Sequence, residues 1–227
     1  LSTPAAVKKR VTRGKRTLQL SGADLSMPAL ECLVERLDAV HAILYLMFNE
    51  GYASHRGDAA VDEDLCEEAA RLCHLLCRSE VGTPTTEALL SLLLFQASRL
   101  SARSTPTEPL LLLDEQDRSL WDRDMIRVAE YWLQRSARGN DVSRYHLEAG
   151  IARMHCGATS VATMDWVGIA RSYELLMSMA PSPVYQLNLA IATDRAGQGE
   201  YALSLLRSLE PEMKDYPWWY CAIADVL

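Results

Sequence analysis

The segments YHLEAGIA (145–152) and YQLNLAIA (185–192) carry Tyr, Leu, Ile and Ala in one register, 40 residues apart. A repeat of that length constrains the fold strongly. A helix pair cannot bury its apolar face alone and must stack on a neighbour. Each copy begins a helix, and apolar periodicity predicts a second helix after each, at about 165–179 and 199–209. The same reading predicts further helices over about 4–19, 31–50, 62–79, 84–101, 118–137, 143–156, 183–196 and 216–227. Strand alternation is sustained nowhere. GTPTTE (82–87) offers a Thr cap with a Glu nearby, STPTEP (104–109) reads as a loop, and PSP (181–183) ends one helix and starts the next.

The unit from Pro183 to Pro211 resembles a tetratricopeptide unit. Its turn, RAGQGEYAL, is built of small and polar residues, and LEP closes its second helix. The first unit is longer because GATSVATM (157–164) intervenes. Two such units are fewer than the three a stack usually needs, so the preceding helices, or residues past 227, are expected to supply the rest. The expected fold is all-α: a helical-hairpin, tetratricopeptide-like α-solenoid over 31–227, preceded by a separate basic helix and a linker at 20–30.

Hydrophobic residues make up 49% of the chain, enough for a folded core. No apolar run approaches the ~18 residues a membrane span requires; ALLSLLLF (88–95) is too short and has polar flanks. The N-terminus is basic, but no apolar stretch follows, so no secretory signal is read. The six cysteines are scattered without a CxxC pair, which fits a reduced, cytoplasmic protein.

Charge is unevenly placed. Six of the nine residues from Lys8 to Arg16 are basic, and no acid occurs before Asp24. The whole chain carries −7, so outside that stretch 17 bases face 30 acids. On a helix, Val7, Val11, Gly14 and Leu18 fall within roughly 40° of one another, and the six bases cover the remaining arc. Ser2, Thr3 and Pro4 make a good helix start. A narrow apolar seam with a broad cationic face suits phosphate and groove contacts on DNA. It equally suits a solvated basic tail. The acidic remainder argues against broad nucleic-acid binding elsewhere.

LSTPAAVKKRVTRGKRTLQL resembles the second helix of the region-4 helix-turn-helix of extracytoplasmic-function sigma factors. Val7, Lys8, Arg10, Val11, Arg13, Lys15, Arg16 and Leu18 match that pattern, and Gly14 stands where the family usually has Ala. ERLDAVHAILYLMFNEGYAS, LCEEAARLCHLL, LLLLDEQDRSLWD, YHLEAGIARMHC and APSPVYQLNLAIA follow in order. They resemble the tetratricopeptide-like C-terminal extension of one subgroup of these factors. The resemblance covers essentially the whole chain. It implies a C-terminal fragment: residues 1–19 as the recognition-helix remnant of region 4, and a helical domain from residue 31. It also implies that the intact protein binds core RNA polymerase and promoter DNA. Lys8, Lys9, Arg10 and Arg13 are then the expected DNA contacts. The helical domain becomes a regulatory or protein-interaction module.

Two motifs could build a polar pocket or an interaction site. In NEGY (49–52), Asn49 and Glu50 close an apolar helix; the alternative is a helix end with Gly51 as left-handed cap and Glu50 paired to Arg71. In EQDRSLWDRD (115–124), Gln116, Asp117, Arg118 and Trp121 sit in dense charge; Asp117 could cap a helix and Arg118 could pair with Asp122. A structural network linking helices is the other reading. Cys66, Cys73 and Cys77 share one helix side and cannot complete a tetrahedral zinc site, so burial as small hydrophobes is expected, with redox sensing the alternative. His41, His55, His146 and His155 show no ligand spacing. No nucleophile accompanies the carboxylates, and no enzyme activity, metal or cofactor is expected. DYPWWYCAIADVL (215–227) carries two Trp and two Tyr near the end and suggests self-association there. The rival to a sigma factor is a free-standing tetratricopeptide-like adaptor that takes peptides in a concave groove.

Overall fold

The computed structural model describes residues 4–22, 29–52, 61–103 and 111–227. Among them are eleven α-helices, three 3-10 turns and no strand. The fold is all-α, built of helical hairpins. Ser2, Thr3, most of the 20–30 linker, His55 and the 104–109 loop lie outside the described residues, as does the side chain of Val7. The chain divides into two units, 1–36 and 37–227.

In the first unit, α1 (Pro4–Leu20) is followed by Gly22, whose φ of +58° is the left-handed turn that stops a helix. The α1 residues from Lys8 onward are all exposed, including Val11 and Leu18 of the apolar seam. α2 (Leu30–Tyr52) begins here and contributes its later turns to the second unit.

In the second unit, α2 buries Leu37, His41, Leu44, Phe48 and Gly51 along one stripe. α3 (Glu63–Cys77) starts on an Asp62 cap and buries Cys66, Ala69, Cys73 and Cys77. The cysteine stripe is core. Burial, with nearby acids, pushes the Cys66 thiol up to about 12. The Cys73 thiol is also raised, by a hydrogen bond with Cys77 and by burial. Gly51 differs from the expected left-handed cap: it lies inside α2, which runs one residue further, and its φ is not positive. Its requirement is space. A Cβ there would come within 2.7 Å of the Asp62 carbonyl oxygen and 2.8 Å of Cys66 Sγ, so glycine lets the start of α3 approach α2.

α4 (Pro84–Ala97) is the centre of this unit. A helix apolar on all sides must be surrounded, and Ala88–Leu93 and Phe95 are all buried. Its start is a capping box in which Thr83 and Thr86 satisfy each other's backbone groups. The nearby Glu87 is not used in the cap. It is buried and takes ion pairs from Arg135 at 2.9 Å and Arg138 at 2.7 Å.

The expected helix over 118–137 is broken. Residues 118–120 form a 3-10 turn, and α5 (Arg123–Ser136) starts afresh. Asp122 causes the break: its carboxylate accepts the backbone N–H groups of Asp124 and Met125, both at 2.9 Å, which fixes it as an N-cap in extended conformation.

The repeat folds as two consecutive hairpins. α6 (Arg144–Gly157) and α7 (Trp166–Met179) form one; α8 (Pro183–Arg195) and α9 (Gly199–Ser208) form the next. Equivalent positions do equivalent work, since Ala152 and Ala192 are both buried. Ile151, Ile169, Leu176 and Ala192 join the two hairpins. α10 (Glu210–Met213) and α11 (Pro217–Val226) cover the end of the stack. There Trp219 is buried and donates to the Leu206 carbonyl at 2.8 Å, while Trp218 and Tyr220 are exposed.

Candidate functional site

The motifs NEGY and EQDRSLWDRD meet in space through residues that neither contains. α4 ends at Ala97 within the sequence QASRLSAR (96–103), and the 3-10 turn Leu100–Ala102 that follows sets Arg99 and Arg103 at its two ends, beyond an apolar helix. Both arginines are more than nine-tenths buried. Arg103 lies over the Tyr52 ring, 3.5 Å from its centroid, and donates to the Tyr52 carbonyl at 3.0 Å. Arg99 donates to the Tyr52 hydroxyl at 3.1 Å and to the Gln96 side-chain oxygen. The Arg99 guanidinium also sits 5.9 Å from the buried Trp121 ring. Arg118 lies 4.4 Å from the same ring and donates to the carbonyls of His155 and Ala158 at 3.0 and 2.9 Å. Arginines and aromatic rings therefore form one connected stack. Cation–π contacts and carbonyl acceptors take the place that carboxylates would normally fill.

This cluster polarises its surroundings. His155, half-buried beside it, is held down at about 4 by burial and by the charges of Arg99 and Arg118. Burial lowers Arg118 itself, and Arg99 and Arg123 push in the same direction.

The other expected site residues disperse. Lys8, Lys9, Arg10 and Arg13 are exposed on α1. Asn49 is exposed near the end of α2 and hydrogen-bonds Tyr45; Glu50 beside it is half-buried. Arg71 pairs with Glu68 at 2.7 Å rather than with Glu50, because both lie on the exposed face of α3 three residues apart. Gln116 is buried and donates to the Leu111 carbonyl at 3.3 Å. Asp117 does cap, accepting the Ser119 N–H at 2.9 Å, although the element it starts is the 3-10 turn. Arg118 does not pair with Asp122, whose carboxylate is occupied as the α5 cap. Of the expected set, Arg118 and Trp121 come together. Arg99, Arg103 and Tyr52 complete the cluster. Two arginines closing an apolar helix were the available signal.

A second feature is an open groove of about 550 Å³. Its walls come from α6, α7, α8 and α11 and from Leu112–Asp114, and they are mainly apolar and aromatic. Trp166, Tyr173, Tyr216 and Trp218 line it, with Asn188, His155, Asp114 and the Arg195–Asp225 pair as its polar points. Asn188 hydrogen-bonds Tyr173. The equivalent position in the preceding hairpin is Glu148, which accepts from Tyr185 and Tyr45. Burial raises the Glu148 carboxyl, against the hydrogen bonds and Arg144. A smaller apolar trough of about 440 Å³ lies between α2 and α3, where Ile43 and Leu75 are exposed.

Among the described residues no group of three or more His, Cys, Asp and Glu is placed to hold a metal ion. Nor is any helix there long and apolar enough to cross a membrane.

Residues 36–137 match a family described as of unknown function (DUF6596). The chain is 36% identical over 220 residues to an uncharacterized protein of Rhizobium meliloti (strain 1021), an alignment covering 97% of this chain and 52% of that protein. The chain thus spans about half the length of this curated relative. No solved structure gives a significant match.

Proposed function

We propose that this chain is the C-terminal part of an extracytoplasmic-function sigma factor. In this reading α1 is the remnant of the helix that reads the −35 promoter element, and residues 37–227 are a protein-binding regulatory module. The observation that carries it is charge segregation: six cations stand exposed on one helix, in a chain whose remainder is strongly acidic. Exposed cations on a helix serve phosphate contacts, whereas an acidic surface repels DNA and leaves protein as its partner. Core RNA polymerase and promoter DNA are the proposed partners of the intact protein, which works in the cytoplasm.

In the intact protein, Arg10→Gln with Arg13→Gln should abolish protection of the −35 element in a footprint, while binding to core polymerase stays unchanged. Undiminished protection would remove the DNA-reading role.

The groove favours a second reading, a tetratricopeptide-like adaptor that binds an extended peptide. Its walls come from successive hairpins, the surface that stacked helix pairs offer to ligands. The exposed Trp218 and Tyr220 on α11 also leave room for self-association at that end.

A further inference from the structure

Three guanidinium groups are linked through two aromatic side chains, Arg118 and Arg99 at Trp121 and Arg99 and Arg103 at Tyr52; two of them are on residues more than nine-tenths buried, and no carboxylate among the described residues pairs with any of them. Elsewhere the protein balances a buried charge directly, as Glu87 with its two arginines shows. Among the described residues, several donors of the cluster make no hydrogen bond: Arg99 Nε, Arg103 Nε, Arg118 Nη2 and Trp121 Nε1. Desolvated like charges without a counter-charge are costly, and aromatic faces and carbonyls offset only part of that cost.

We propose that the Arg99–Arg103–Arg118 cluster binds a tetrahedral oxyanion of the phosphate class. Planar guanidinium forks match such an oxyanion, and the unused N–H groups are the donors it would take. The depressed basicity of His155 is consistent with a cationic centre there. Arg118, half-buried, marks the edge from which an anion would enter.

The test is a melting titration of the whole chain with low-millimolar inorganic phosphate against chloride at equal ionic strength. A parallel arm uses glycerol phosphate, to separate free phosphate from a phosphoryl group carried on a small molecule. At about 100 times the dissociation constant the midpoint should rise by roughly 5–10 °C, saturably. Arg118→Gln, confirmed folded by circular dichroism, should lose the shift, and Arg127→Gln, on an exposed pair, should keep it. If Arg118→Gln does not fold, the parent titration decides alone: a saturating shift supports the site. No shift with either phosphate compound overturns the proposal, as does a shift that only rises linearly or one that survives in folded Arg118→Gln.

Discussion

Two buried polar clusters flank α4 and are built on opposite principles. At its start, Glu87 is almost wholly buried and both its ion pairs converge on one carboxylate oxygen, from Arg135 and Arg138. At its end, Arg99 and Arg103 are also buried, yet they rest on the Tyr52 and Trp121 rings, the Tyr52 hydroxyl, the Gln96 side chain and the Tyr52 carbonyl. The first arrangement meets its buried charge with opposite charges, although Glu87 Oε2 makes no hydrogen bond among the described residues, and it has a structural purpose: it ties α5 and the residues after it to the central helix. The second is open. A closed cluster serves the fold, whereas an open one is a place where another charge can act.

The largest effect should come from opening the closed cluster. Arg135→Gln with Arg138→Gln strands a buried carboxylate and should lower the urea unfolding midpoint more than either substitution that follows. Adding Glu87→Gln should recover most of that loss. If the double variant alone were neutral, the cluster would not be the tie described.

The next effect reads the open cluster's field. His155 is held at about 4, below its ordinary 6.5, so the native state keeps it neutral while the unfolded chain takes up a proton. The stability from this neutral form is complete above pH 6.5 and is lost as pH falls towards 4, about 3 kcal/mol in all. His155→Gln should flatten that limb of a stability–pH curve. A residual slope of the same sign should remain from His41, which burial also holds low. Glu148, held high by burial, works in the opposite direction. Unchanged curvature in His155→Gln would mean that His155 is not the group whose depressed basicity shapes this limb.

The smallest effect completes the contrast. Arg103→Met loses a cation–π contact and a carbonyl bond but also removes one of several like charges, so the net change should stay within about 1 kcal/mol. A loss matching the Arg135/Arg138 variant would show the second cluster to be as closed as the first.

Most of the helices were legible because one apolar face repeats every 3.6 residues. Trp121–Asp122 was not: the periodicity runs through it, and only the capture of two N–H groups by Asp122 decides for a break. Gly51 was recognised as special for the wrong reason, since close approach of another chain segment leaves no local pattern. Arg118 and Trp121 stood out because charge crowds around an indole. Arg99 and Arg103 did not, because their partners lie 47 and 51 residues away at Tyr52. Glu87 looked like part of a helix start, and only tertiary structure assigns it to Arg135 and Arg138.

The central proposal is that a DNA-reading helix and a protein-binding helical body belong to one transcription factor. The most direct measurement is promoter-directed transcription by core RNA polymerase with the intact protein, against a version truncated before Leu37. The account predicts that truncation changes both transcript level and its regulation. Identical output and identical regulation would contradict it.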